Sequence, residues 1–207
     1  MTKQKSANAA DSSDAILDAA ARLFRREGFA ATTVRDIARA AGILPGSLHY
    51  RFASKEELLV ALMERAIDRL MAGVLEAITE GQDPIERMRL AIRAHLRMLL
   101  SGDDAVYVLL YDFRSLGTHA AHGMLRQRQR YERFSDELIA QAAAVAPVRP
   151  GVDLTLLRLF GFGAVNWAAQ WYEPGGKYTP DQIAEAFWQY TAFGALSGPY
   201  ETSSKGG

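Results

Sequence analysis

The side chains best placed to act on a partner lie in the segment Thr32–Lys55, TTVRDIARAAGILPGSLHYRFASK. Two short apolar-periodic runs flank Gly42-Ile43-Leu44: Ile37, Ala38 and Ala41 share one face, and Leu48 and Phe52 share another. Such runs pack two short helices about a tight turn, the geometry of a helix-turn-helix, and Gly42 tolerates the positive φ that the turn needs. With Leu48 and Phe52 turned inward, Pro45, Gly46, Ser47, His49 and Tyr50 are left facing out. Small residues at the leading end let the backbone approach base edges in a DNA major groove, and the side chains behind them reach bases and phosphates. For Tyr50 a place at the edge of the core is the alternative.

Other chemistries have little support. There is no cysteine, which removes disulfides, thiolate metal sites and thiol nucleophiles and suits a reducing cytoplasm. No nucleophile elbow and no Gly-rich phosphate loop occurs, so neither an enzyme activity nor a cofactor is expected. His119 and His122 have a metal-compatible spacing but no companion ligands, and no metal site is expected. Residues 1–13 lack the apolar stretch of a secretory signal, and no run approaches the ~18 apolar residues of a membrane span. The formal charge is balanced over the 207 residues, but not along them. Residues 1–55 hold nine Lys/Arg against five acids, a net +4, which leaves −4 for the rest. Only the head then has the sign that meets phosphate.

The elements that must position these residues are helical throughout, and the fold class is all-α with about nine helices. Ile16, Ala20, Leu23 and Phe24 make one stripe, capped by Ser13 and ended at Gly28. Thr33 with Asp36 starts a second helix, and Pro45 sits at the first position of a third. Ser54 with Glu57 is a capping box opening a long helix that stops before Gly81. Asp83-Pro84 begins another, with Ile85, Met88, Ile92, Leu96 and Leu99 on one face. Further helices are expected over 105–116, 120–145, 152–172 and 180–196, with disordered ends at Met1–Asp11 and Ser203–Gly207. The domain division is 1–53, an N-terminal arm and helix-turn-helix, and 54–207, a ligand-binding and dimerisation domain.

The run from Ile16 to Arg65, with AARLFRREGFAATTVRDIARAAG followed by SLHYRFASKEELLVAL, resembles the N-terminal domain of the TetR family of bacterial repressors over about 50 residues. The resemblance implies that Thr33, Arg35 and Lys55 hold DNA phosphates and that Pro45, Gly46, Ser47, His49 and Tyr50 read bases. Two positions depart from the family pattern. Leu44 stands where a Ser often caps the reading helix, and His49 where a Tyr is frequent; both bear on the operator preferred.

One head touches only a half-site, so two heads must be paired about one DNA turn apart, on palindromic operator DNA. Leu154, Leu157, Phe160 and Ala164, with Gly161 allowing close approach, supply an apolar face, and Ile183, Phe187, Tyr190 and Leu196 add to it. The resemblance implies that the last two helices form the homodimer interface and that the remaining helices enclose a chamber for a small-molecule effector. Asn166-Trp167, Gln170-Trp171-Tyr172 and Pro174-Gly175-Gly176 resemble a subset of the family that regulates fatty-acid or steroid degradation and answers to acyl-CoA thioesters. Met63, Ile67, Leu99, Leu110 and Tyr111 would then line the acyl tunnel, while Arg114 or residues near Arg126–Arg130 would meet phosphate. Trp167 and Trp171, four residues apart, suit a core as well as a ligand wall. An aromatic drug controlling an efflux pump is the alternative ligand.

Overall fold

Helix follows helix without a strand among the described residues, 2–146 and 148–193, of the computed structural model; for 2–12, 119 and 193 only the backbone is described. The order is α1 (Thr2–Glu27), α2 (Val34–Ala40), α3 (Pro45–Arg51), α4 (Lys55–Ile78), α5 (Pro84–Leu99) and α6 (Asp104–Tyr111). A 3₁₀ turn at Phe113–Ser115 leads to α7 (Thr118–Val145), α8 (Leu154–Trp171) and α9 (Pro180–Phe193). None of these helices is long and apolar enough to cross a membrane.

Local chemistry sets most boundaries. Gly28 and Gly42 adopt φ of 82° and 68°, and each turns the chain at the end of a helix. Ser54 Oγ accepts the Glu57 N–H at 3.0 Å, while the Glu57 carboxylate reaches past the cap to accept the Ala53 N–H at 2.6 Å. Asp83 accepts the Glu86 N–H at 2.8 Å at the start of α5. Leu44 offers α3 no side-chain cap, and Pro45 at the first helical position replaces it with a fixed φ.

Two elements differ from the sequence reading. α1 starts at Thr2, because the Ala- and Lys-containing stretch before Asp14 has no breaker; Ser13 therefore lies inside the helix, where its hydroxyl accepts from Arg51 at 2.8 Å. The expected helix over 105–116 divides at Asp112, where residues 112–117 contain Asp, Ser and Gly, which favour turns. Leu196 and the Ser203–Gly207 tail lie outside the described residues.

The main core does not stop at residue 53. Ile16 and Phe24 of α1, Ile37 of α2 and Leu48 of α3 pack with Leu58, Leu59, Leu62 and Met63 of α4, and the same cluster takes in Ala105 and Val108 of α6. Ion pairs fasten the joint: Arg65 of α4 reaches Asp14 and Asp18 at 2.9 and 2.6 Å, and Arg25 of α1 reaches Asp104 at 2.9 Å and the Gly102 carbonyl at 2.7 Å. A second cluster joins Ile92 and Leu96 of α5 to Val165 and Ala168 of α8 and Trp188 of α9. A third joins Val74, Ala91, Tyr131 and Leu138.

Leu48 is fully buried while its neighbours on α3 face outward. Leu48→Ala should cost about 2–5 kcal/mol of stability, as large-to-small core changes do, and a urea unfolding curve will show it as a lowered midpoint.

Candidate functional site

Two separate surfaces have the character of sites, and the first is the tip of the head. Pro45, Gly46, Ser47, His49 and Tyr50 are all exposed, and Tyr50 at 93 % is no part of the core. Arg35 is exposed and makes no ion pair or hydrogen bond among the described residues. Thr33 is exposed and is the N-cap of α2 in a reciprocal box, its Oγ accepting the Asp36 N–H while Asp36 accepts the Thr33 N–H. Hydrogen bonds from Thr33, with Arg39 adding to them, hold the Asp36 carboxyl below the usual carboxylate range. Leu44, read from sequence only as a cap, is 75 % exposed at the front of α3 and belongs to this surface.

Lys55 departs from the expectation. Its ammonium donates to the carbonyls of Phe29 at 2.6 Å, Thr32 at 2.9 Å and Ala30 at 3.4 Å, and lies 4.3 Å from the centre of the Phe29 ring. An ammonium has three donors, and all three are engaged. In this state Lys55 ties the α1–α2 turn to the start of α4 rather than standing free for phosphate.

The second surface is a cavity of about 550 Å³ bounded by α4, α5, α6, α7 and α8. Ile67, Leu99, Leu110, Tyr111, Asn166 and Trp167 line it. Three expected residues do not. Met63 is fully buried in the core shared with the head, Arg114 sits exposed on the 3₁₀ turn, and Trp171 is half-exposed away from the walls. Tyr111 instead receives a hydrogen bond from Gln170 at 2.7 Å, and burial raises its phenol pKa. Of the arginine run, Arg128 is the one on the cavity wall, 5.7 Å from the Phe113 ring centre.

The polar residues missed in the sequence are the informative ones. His95 of α5 is buried in the apolar face between Ile92 and Leu99. Its Nδ1 lies 2.8 Å from the Tyr131 hydroxyl, and Phe162 and Tyr131 stack around it at 5.8 and 5.6 Å. Nε2 has no hydrogen-bond partner, although Asn166 is near enough to favour the charged ring slightly. Desolvation wins and lowers the imidazole pKa to about 4. Arg158, the lone charge in α8, is 11 % exposed; its Nε donates to Asp136 at 2.6 Å, and Nη1 lies 3.7 Å from Glu132 with no hydrogen bond. Both signals were available in the sequence: a histidine on an apolar stripe, and one arginine in an apolar helix.

On the outer side of α8 and α9 the register is settled by packing. Leu154, Leu157, Gly161 and Phe187 are half-buried in their own protomer, and a side-chain carbon at Gly161 would lie 3.6 Å from the Phe187 ring. Phe160 at 72 %, Trp167 at 65 % and Tyr190 at 67 % are exposed, and Ala164 and Trp171 join them.

An outward-facing helix-turn-helix on a helical body with a cavity is the architecture of a DNA-binding regulator. Residues 16–62 match the family described as bacterial regulatory proteins, tetR family, and residues 81–194 match the tetracyclin repressor-like C-terminal domain. The HTH-type transcriptional repressor KstR2 of Mycobacterium tuberculosis is 30 % identical over 173 residues, covering 83 % of this chain and 86 % of that protein. Among solved structures, the regulator PfmR of Thermus thermophilus superposes with a TM-score of 0.77 at 28 % identity, covering 88 % of this chain and 99 % of its own. AibR in complex with isovaleryl coenzyme A and operator DNA superposes with a TM-score of 0.76 at 28 % identity, covering 86 % and 96 %. The chain belongs to the TetR family of helix-turn-helix transcriptional regulators, which are not enzymes.

The depressed pKa of His95 makes stability depend on pH. Unfolded, the ring takes its proton near pH 6.5; folded, it waits until about 4. Between those values only the unfolded chain gains the proton, so stability is full above pH 6.5 and is lost as pH falls toward 4. The loss approaches about 3 kcal/mol. Melting curves from pH 7 to 4.5 should show the decline, and His95→Phe should flatten it across that window.

Proposed function

We propose that the protein is a homodimeric repressor that holds palindromic operator DNA and releases it when a small-molecule effector, an acyl-CoA thioester, enters the body cavity. DNA would be read by Pro45, Gly46, Ser47, His49 and Tyr50, with Thr33 and Arg35 on phosphate; exposed Leu44 suits contact with a thymine methyl. Such a role places the protein in the cytoplasm. The dimer face is the exposed aromatic stripe of α8 and α9, Phe160, Ala164, Trp167, Trp171 and Tyr190, an apolar area of the kind that marks an interaction surface.

The observation that carries the coupling is the double life of α6. Val106, Leu109 and Leu110 face the cavity, while Ala105 and Val108 belong to the core of the head. α4 likewise lends Ala66, Ile67 and Leu70 to the cavity and Leu58, Leu59 and Leu62 to the head. A ligand that displaces α6 or tilts α4 moves the head with it and changes the spacing of two heads on DNA. It shifts the balance only by its differential affinity for the two arrangements.

Three lines support the choice of ligand. The cavity is largely apolar with Arg128 on its wall, which suits an acyl chain joined to a phosphate-bearing head. Asn166 and Trp167 of the Asn-Trp motif line it. Two relatives similar over most of the chain bear on it: AibR was solved with isovaleryl coenzyme A, and KstR2 is described as a ketosteroid transcriptional regulator.

Fluorescence anisotropy with DNA from upstream of the gene tests both halves. Tight, salt-dependent binding that dodecanoyl-CoA releases is expected. Arg35→Ala should reduce the slope of log K against log salt by about 1 for each copy in the dimer. DNA binding that the thioester leaves unchanged would discard this ligand and favour an aromatic, drug-like one.

A further inference from the structure

A second, narrow cleft of about 80 Å³ lies behind the main cavity, walled by apolar side chains such as Val74, Leu138, Val165 and Phe187. The two spaces share His95, Tyr131, Arg158 and Phe162, which therefore form a waist between them. Three buried side-chain nitrogens or oxygens lack a hydrogen-bond partner among the described residues, and two of them, His95 Nε2 and Arg158 Nη1, are at this waist.

The state of each group follows from its neighbours. Burial keeps the Tyr131 phenol protonated, so its hydroxyl has a proton to give to His95 Nδ1, 2.8 Å away; given there, it makes Nδ1 the acceptor. A neutral imidazole that accepts at Nδ1 carries its own proton on Nε2. Arg158 always carries its protons, and neither N–H of Nη1 has an acceptor. Both open groups are thus donors, and a buried donor without an acceptor carries an uncompensated desolvation cost until something fills the place. The charge balance says what fills it. Arg158 already faces Asp136 and Glu132, one positive charge against two negative, and His95 is neutral. A carboxylate would bring a third negative charge beside Asp136 and Glu132; an uncharged oxygen would not.

We propose that His95 Nε2 and Arg158 Nη1 are paired donors for an uncharged carbonyl oxygen of the effector, so that the waist selects carbonyl compounds over carboxylates and over ethers of the same shape. The proposal deepens the ligand reading above and rests on it where the carbonyl is that of a thioester. The narrow cleft takes a few carbons at most, and the bulk of the molecule lies in the wide cavity. Tyr131 is a positioning residue, since it fixes which nitrogen of His95 donates.

Isothermal titration of the full-length protein with matched ligands tests this. Dodecanoyl-CoA and its thioether S-dodecyl-CoA differ only in the carbonyl oxygen, and the thioester should bind at least ~10-fold tighter. Methyl nonanoate should likewise outbind both 1-methoxynonane and nonanoate. His95→Phe should erase the gap within each pair, and His95→Gln, which keeps an N–H donor, should restore part of it. The comparison on the unaltered protein decides the matter even where a variant folds poorly. Equal binding of thioester and thioether overturns the inference and leaves the acyl-CoA reading standing. If neither CoA compound binds, the acyl-CoA reading falls and the nonanoate series decides. Preference for the ester there sustains the carbonyl site, whereas no ester binding, equal binding or a preference for nonanoate overturns it.

Discussion

The core that joins α1–α3 to the first half of α4 and to α6 is the constraint from which the rest follows. The three head helices include two of only 7 residues, and short helices are marginal without tertiary packing. Leu58, Leu59, Leu62 and Val108, each fully buried, supply what α2 and α3 cannot bury by themselves. The head is therefore held in shape by the body, and α3 can present an outer face of small, polar and aromatic residues because Leu48 and Phe52 bind it from behind. Arg65 and Arg25 reinforce the joint from partly exposed positions, where ion pairs fix geometry more than they add stability.

The body shows the opposite economy. Its second and third clusters are apolar, yet two donors are left open between them at the waist. The bonds of His95 to Tyr131 and of Arg158 to Asp136 hold these side chains in place but leave His95 Nε2 and Arg158 Nη1 without a partner. Their cost falls on the part of the molecule whose walls are also the back of the head's core. A ligand that satisfies them changes the energy of that region by more than its apolar contacts would, which is what a differential affinity between two arrangements requires.

Legibility from the sequence followed the width of the apolar stripe. The reading face of α3 was legible because two anchors, Leu48 and Phe52, leave no doubt which side is inside, and the small residues and caps around them agree with one another. α8 was not, because LTLLRLFGFGAVNWAAQW is apolar almost all round, so the 3.6-residue period does not say which face is internal. Only packing against α5, α7 and α9 turns Leu157 and Gly161 inward and Phe160, Ala164 and Trp167 outward. Met63 was misplaced for a related reason: α4 crosses from one core to another, and a stripe continuous along the helix hides the point where its partner changes. Lys55 illustrates a different limit, since the carbonyls that hold it are some 23 to 26 residues away and no local pattern announces them.

The same continuity gives α4 and α6 their mechanical meaning. Close-packed interiors respond to a displaced helix by changing between discrete packings rather than by yielding smoothly. Lys55 clamps the α1–α2 turn to the start of α4, Glu56 accepts the Gly117 N–H ahead of α7, and Arg25 clamps α1 to the start of α6. Each contact is polar and directional, so under the proposed coupling a shift of α6 either carries α1 with it through Arg25 or breaks that contact. Under the coupling proposed above, the first outcome turns a change at the cavity wall into a change in where Ser47, His49 and Tyr50 stand.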